Sequence, residues 1–365
     1  MNPGKILKEA ARSAGKLLSP RGNFQPLEEL WPDRGGSCRV ERGEGWLYPE
    51  DPVDLSVIIP CYNNAPYLKA ALDSVLGQET RFRFETVVID DGSTDETPEV
   101  LALYKNNPNV TLLRQENQGH SGARNAGIAV SRGKYLLFHD SDDTLLPGSL
   151  EALMTCAQEQ NADIVVGGYL CKDLSGTLHP GKSFPDGLVS DREQVPGMTC
   201  GKAFRRELWR DLQFPLGYWY EDSVICQILL PMARKIYSVS TPIFAYLINP
   251  QGVSAASQGQ PKALESLYVT RRLLRERQAF GLQQTREDYT HFLHMVLLTY
   301  HRTRGLSRQV PYLIFEAQRQ LQRTYFAGFS PVPPYEGLAN ALEEGRFRRY
   351  LWLCETLWLQ NRMGG

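Results

Sequence analysis

The sequence contains no C-x-x-C pair, and its seven cysteines follow no regular spacing. An odd, scattered set argues against a disulfide framework or a zinc site and fits reduced thiols in a cytosolic compartment. No stretch approaches the roughly 18 consecutive apolar residues of a membrane-spanning helix, and the N-terminus lacks the apolar core of a secretion signal. Excess charge of either sign is missing as well. Forty Lys and Arg stand against 41 Asp and Glu, for a formal net charge of -1. With no global basic field, nucleic acid is not a favoured partner. There is no G-x-x-x-x-G-K phosphate loop, no Ser-His-Asp arrangement and no His/Cys ligand set, and "GHSGARNAG" does not have dinucleotide spacing.

What is present divides the 365 residues into three regions. Residues 1–50 begin with "GKILKEAARSAGKLL", which places Ile6, Leu7, Ala10, Ala14, Leu17 and Leu18 on one helical face and Lys5, Lys8, Arg12 and Lys16 on the other. Such a helix lies on an anionic membrane surface or docks on its own protein. The Pro/Gly-rich stretch "SPRGNFQPLEELWPDRGGS" after it has no period of its own. Residues 51–250 alternate apolar runs with amphipathic segments: "LSVIIPCYN" then "PYLKAALDSVLGQ", "FETVVIDDGS" then "DETPEVLALYKNN", "NVTLLRQ" then "SGARNAGIAVSRG", "KYLLFHDSDD" then "PGSLEALMTCAQEQN", and finally "ADIVVGGYL". Asp95 or Thr94 is placed to cap the second helix. Near-continuous apolar strands alternating with helices indicate an α/β fold with a mainly parallel sheet covered on both faces. Residues 251–365 read as helices throughout. In the last of them Tyr350, Leu351, Trp352, Leu353, Leu357 and Trp358 stand beside Arg346, Arg348 and Arg349. Packing against preceding helices is the main reading for these aromatics.

In open parallel sheets ligands bind beyond the carboxyl ends of the strands. Tyr62 and Asn63 follow the first strand, Asp90 and Asp91 the second, and Asp140, Asp142 and Asp143 the fourth. Any one cluster is compatible with ordinary turn chemistry; three at equivalent strand ends point to one cleft. Asp140 and Asp142, two apart on extended chain, are expected to point the same way. Three carboxylates in four positions repel one another and need a positive partner. Oxygen-only ligands suit a hard divalent cation, Mg2+ or Mn2+, which keeps positions open for substrate phosphates.

"LSVIIPCYNNAPYLKAALDSVLGQ", "VVIDDGSTDET", "NQGHSGARNAG" and "YLLFHDSDD" together resemble the nucleotide-sugar half of family 2 glycosyltransferases, from about Leu55 to Ser254. The resemblance implies a GT-A, Rossmann-like fold. It implies inverting transfer of a sugar from a nucleoside diphosphate donor, usually UDP-linked, to an acceptor hydroxyl. Carried over, Pro60 and Tyr62 border the base with Tyr62 stacking on it, Asp91 bonds the base edge and Asp90 shapes the same turn. Asp142 lies beside ribose and metal, with Asp140 or Asp143 completing the metal site. Gly122 lets the backbone pass close to the donor, and Arg124 approaches the phosphates. In "GYWYEDSVICQILL" the resemblance makes Asp222 the catalytic base and Glu221 its neighbour binding or orienting the acceptor, with Tyr218, Trp219 and Tyr220 as exposed aromatics for the sugar faces. Two departures stand out. Cys61 occupies a position where the family often has a small or hydroxylated residue. The basic motif that usually closes over the diphosphate is replaced by "YLINPQGVS", with Asn249 and Gln251 near the expected place.

Two other readings fit parts of the sequence. "DSDDT" also matches the D-x-D-x-T nucleophile loop of haloacid-dehalogenase-type phosphohydrolases, but that loop belongs on a first strand, and three strand-helix units precede it here. A transferase-like assembly subunit without catalysis is the second, against which the intact acidic clusters argue. The expected acceptor is a glycan, glycolipid or wall-polymer intermediate in surface polysaccharide, teichoic acid or glycolipid synthesis. The expected place is the cytoplasm, with a peripheral contact at the inner face of the plasma membrane.

Overall fold

The computed structural model describes residues 24–249, 252 and 259–363. The basic N-terminal helix and Gln251 lie outside the described residues. The chain divides into two units: Gly35–Ala255 with Arg272–Gln283, and Met1–Arg34 with Ala256–Arg271 and Gln284–Gly365.

The first unit is built on a ten-stranded sheet. Its strands are β1 (Val53–Cys61), β2 (Phe84–Asp90), β3 (Val110–Arg114), β4 (Gly133–Phe138), β5 (Thr144–Leu145), β6 (Ile164–Lys172), β7 (Leu178–Pro180), β8 (Gly187–Leu188), β9 (Lys202–Arg205) and β10 (Ile236–Leu247). The order is β3-β2-β1-β4-β9-β6-β10-β5, with β7 on β6 and β8 on β10. The pairs among β3, β2, β1 and β4 are parallel, as is β6 with β10, while β9 runs antiparallel between β4 and β6. Two antiparallel steps restore direction, so β1, β2, β3, β4, β6 and β10 all end at one edge.

The strand cores are apolar because helices cover them. Val57, Ile58, Ile59, Val88 and Ile89 are essentially inaccessible, and burying side chains of this size stabilises by about 1.5–3 kcal/mol each. The helix Gly119–Val130 comes so close to the sheet that a Cβ on Gly127 would meet Ile58 Cγ2 at 2.4 Å. Residues 35–50, read from sequence as connector, are stitched into this unit. Arg42 Nη1 donates to Leu212 O at 2.8 Å and Trp46 Nε1 to Ile128 O at 3.0 Å. The Arg206 guanidinium lies 3.8 Å from the Trp46 ring.

The second unit is helical: Gln25–Leu30, Arg286–Arg302, Val310–Tyr325, Glu336–Glu344 and Phe347–Met363. The short first helix lies in the stretch read as aperiodic; within the helix only Leu27 is buried, too little for a sequence period to reveal. Thr285 and Asp288 form a reciprocal capping box. In the last helix Tyr350 is buried and donates to Gln318 Oε1 at 2.8 Å, and Trp358 stacks on His301, whereas Trp352 is 63% exposed. Among the described residues no helix is long and apolar enough to cross a membrane, and all seven cysteines are free thiols.

Candidate active site

β1 and β2 end in register, Cys61 beside Asp90, and Asp91 N donates to Cys61 O at 2.9 Å. Asp90 is a turn former. Its Oδ1 accepts from Ser93 N at 2.8 Å, and its Oδ2 lies 3.4 Å from Arg114. Asp91 is buried, and its Oδ1 accepts from Gln115 Nε2 at 2.7 Å and Gln118 N at 2.9 Å. Among the described residues none donates to its Oδ2. The space a Cβ would take on Gly122 is filled by Gln118 Cβ at 2.3 Å. Gly122 thus makes room for the glutamine at the base of the Asp91 cradle.

Pro60 is buried in β1, and Tyr62 just after the strand is 49% exposed, an available ring face. Asn63 has φ of 47°, a left-handed conformation Asn tolerates well. It is spent on loop geometry, donating through N to Ser93 Oγ at 3.0 Å and accepting at Oδ1 from Thr94 N at 2.8 Å. Asn64 Nδ2 reaches Ser141 Oγ at 2.7 Å. The Tyr62 loop is therefore tied to both the Asp91 turn and the acidic turn after β4.

That acidic turn differs from the extended chain expected. β4 stops at Phe138, and Asp143 N donates to Asp140 O at 3.1 Å. The i to i+3 turn brings Asp140 together with Asp143, while Asp142 between them still feels the Asp140 charge. Carboxylate oxygens of Asp140 and Asp143 and the Cys200 sulfur lie within 4.8 Å of one another. Asp143 Oδ1 accepts from Leu247 N at 2.8 Å. Burial, then repulsion from Asp140, push Asp142 up to about 6; burial with both neighbouring charges pushes Asp143 up to about 9. Burial works to raise Asp140 too, but Arg124, His120 and the Cys200 thiol hold it below its usual range.

A buried arginine thus partly answers the crowded acids. Arg124 Nη2 donates to Asp140 Oδ1 at 2.9 Å, and Nη1 donates to Glu221 Oε1. Burial alone would lower the Arg124 pKa, and the two carboxylates outweigh it. Read from sequence as a phosphate contact, Arg124 has both terminal nitrogens on carboxylates. The same helix holds the chain leading to Glu221. Ser121 Oγ donates to Pro215 O at 2.8 Å, and Asn125 exchanges 2.8 Å bonds with Phe214 through Nδ2 and Oδ1. Glu221 is buried, and burial pushes its carboxyl up against the pull of Arg124. Asp222 beside it is partly exposed. Both precede a helical turn, with Ile225 N donating to Asp222 O at 2.9 Å. The aromatics correct the sequence reading: Tyr218 and Tyr220 are buried and only Trp219 is partly exposed. Tyr218 seats against Gly35, where a Cβ would lie 1.7 Å from its ring.

Several site residues escaped the sequence. Lys202 opens β9, whose four residues show no strand period, and Cys200 lies two residues before it, bridged to Phe138. Lys202 is buried, donates from Nζ to Met198 O at 2.7 Å, and is pushed down to about 8 by burial, against the charges of Cys226, Cys200 and Asp222. Tyr246 near the end of β10 is pushed up to about 12 by burial and by Asp143, Asp142 and Asp140. Lys172 ends β6. The strand-end rule, applied to β6 and β10, would have flagged both. Asn249 is partly exposed just beyond β10.

The donor set fits a hard divalent cation. Two carboxyls are held above their ordinary range by burial and mutual repulsion, a cost that a cation relieves. Cys200 is the soft member of the group, which a hard cation favours least, and burial beside Asp140 and Asp143 raises its thiol.

Comparison with known proteins gives the same picture. The profile described as glycosyl transferase family 2 matches residues 56–211. Glycosyltransferase GlyA of Streptococcus pneumoniae is 28% identical over 286 residues, covering 73% of this chain and 41% of GlyA. Minor teichoic acid biosynthesis protein GgaA of Bacillus subtilis is 38% identical over 207 residues, covering 52% of this chain and 46% of GgaA. The chain thus spans less than half the length of these two relatives. Among solved structures, S. aureus TarS 1-349 in complex with UDP-GlcNAc superposes with a TM-score of 0.66 at 20% identity, over 84% of this chain and 92% of that one. With the four sequence motifs at the ends of the strands where they were expected, and the sheet of TarS beneath them, the chain belongs to glycosyl transferase family 2 and has the GT-A fold.

Proposed function

We propose that this chain transfers a sugar from a UDP-linked donor to an acceptor hydroxyl, inverting the anomeric centre. The observation that carries the reading is the Arg124 bridge from Asp140, in the acidic turn, to Glu221, beside Asp222. It supports the reading by joining the acidic turn and the Glu221–Asp222 pair in one contiguous network. The UDP-GlcNAc complex of TarS supports the donor class. GgaA, by its name a teichoic acid biosynthesis protein, supports a wall-polymer acceptor within the wider class of surface polysaccharides and glycolipids.

In this reading Tyr62 offers its exposed face to the base and Asp91 Oδ2 accepts from the base edge. Glu221, held by Arg124, orients the acceptor. Asp222, the more exposed of the pair, takes the acceptor proton as the new bond forms at the anomeric carbon. Positive charge spreads over the ring oxygen of the donor sugar. Asp140, Asp142 and Asp143 would hold Mg2+ or Mn2+, which when bound neutralises charge on the departing diphosphate.

A thermal-shift panel of UDP-, GDP-, CDP- and dTDP-sugars with Mn2+ tests the donor assignment. UDP-sugars are expected to raise the melting temperature most; a panel with no nucleotide-dependent shift removes the proposal. The raised carboxyls add a pH prediction. Their folded values exceed the ordinary 3.8, so the stabilisation they lend the cation-free protein is present below that pH. It is lost as pH rises through about 6 and about 9. Ligation requires the deprotonated forms, so Mn2+ affinity should climb between pH 6 and 8, by up to about tenfold per unit where Asp143 is still protonated. Calorimetry in two buffers of different ionisation enthalpy counts the protons released. A pH-independent Mn2+ affinity would show that these carboxyls do not bind the ion.

A further inference from the structure

Lys172 closes β6 at the edge where the site lies. Its register partner on β10 is Leu247, whose N–H bonds Asp143, and Ile248 N donates to Lys172 O at 2.8 Å. The side chain leaves the sheet beside the acidic turn, where Nζ donates to Thr144 Oγ1 at 3.3 Å. An ammonium group has three donors, and that hydroxyl is its one hydrogen-bond acceptor among the described residues. The residue is only half-buried. Its charge reaches both Asp142 and Asp143 and opposes their upward shift. The other cation of the acidic turn is in a different state: Arg124 is buried with each terminal nitrogen on a carboxylate.

We propose that Lys172 binds the diphosphate of the nucleotide-sugar donor, as a protein-borne positive charge distinct from the cation on the carboxylates. The inference rests on the nucleotide-sugar reading above. Lys172 has spare donors, partial solvent access and a compact charge that serves phosphate recognition. Its anionic neighbours are the carboxylates assigned to a cation, so with those engaged its own charge needs another anion. A diphosphate drawn to the same turn supplies one. Asn249, two residues past the end of the adjacent strand, carries no charge to do so.

The test is equilibrium binding of UDP and of uridine to the full chain in Mn2+, for wild type, Lys172→Met and Lys172→Arg. Met keeps the aliphatic stem, so the fold is retained, which thermal melting verifies. Loss of one charge-assisted contact should weaken UDP about tenfold in Lys172→Met, leave uridine within about twofold, and be largely repaired in Lys172→Arg. A wild type that prefers UDP over uridine with an unchanged preference in Lys172→Met overturns the Lys172 assignment alone. A wild type that binds neither ligand removes the nucleotide reading, and the assignment with it.

Discussion

Replacing Arg124 with Met should cost about 3–5 kcal/mol of stability and at least about 100-fold in transfer rate, although both its terminal nitrogens are held by Asp140 and Glu221. The stability loss follows from what remains behind. Asp140 and buried Glu221 would lose their counter-ion, leaving either an unpaired charge or a forced protonation in the interior, and removing one partner of a buried pair is far more costly than replacing the pair. The activity loss follows from position. Glu221 and Asp222 are placed through the Gly119–Val130 helix, by Arg124 on Glu221 and by Ser121 and Asn125 on the preceding backbone. A displacement of about 1 Å at the reacting groups is enough for a loss of that size. Combining Arg124→Met with Glu221→Gln should recover part of the stability, because one uncompensated charge disappears, without recovering activity. Chemical denaturation and steady-state rates on the single and double variants read both effects. If Arg124→Met is no less stable than wild type, the buried bridge is not the organising contact described here.

Asp222→Asn should lower the transfer rate by about 10²–10⁴-fold, the range for removal of a positioned general base, and leave UDP affinity within about twofold. Asn is isosteric and accepts hydrogen bonds, so the acceptor is still seated, but the amide cannot take its proton. Lys202, buried on β9, feels the Asp222 charge. Glu221→Gln offers the contrast: that carboxyl is engaged by Arg124, and its loss acts on acceptor KM more than on the proton transfer. Rates with saturating donor and acceptor, beside calorimetric UDP binding, separate the two residues. An Asp222→Asn enzyme turning over at the wild-type rate would remove the base assignment.

The alternation of apolar runs with amphipathic segments determined the strand-helix repeat. The polar residues directly after those runs determined which side chains gather at the carboxyl edge. These are local properties: a strand pointing Val and Ile both ways must be covered on both faces, and a carboxylate needs the strand to stop before it can meet solvent or ligand. Tyr62, Asp91 and the acidic turn were legible for that reason. The antiparallel insertion of β9 was not, because four residues carry too little period to announce a strand. With β9 came Lys202, and with the segment leading into it Cys200. The pairing of Asp140 with Asp143 was set by a backbone turn that extended-chain geometry cannot anticipate. The exposure of the aromatics before Glu221 was decided by packing: Tyr218 has a seat against Gly35, 183 positions away in the chain. Above all, the ownership of Arg124 was a tertiary outcome. Sequence places an arginine near phosphates and acids alike; only the folded chain, by burying it where two carboxylates converge and desolvation makes an unpaired charge untenable, decides which anions it holds.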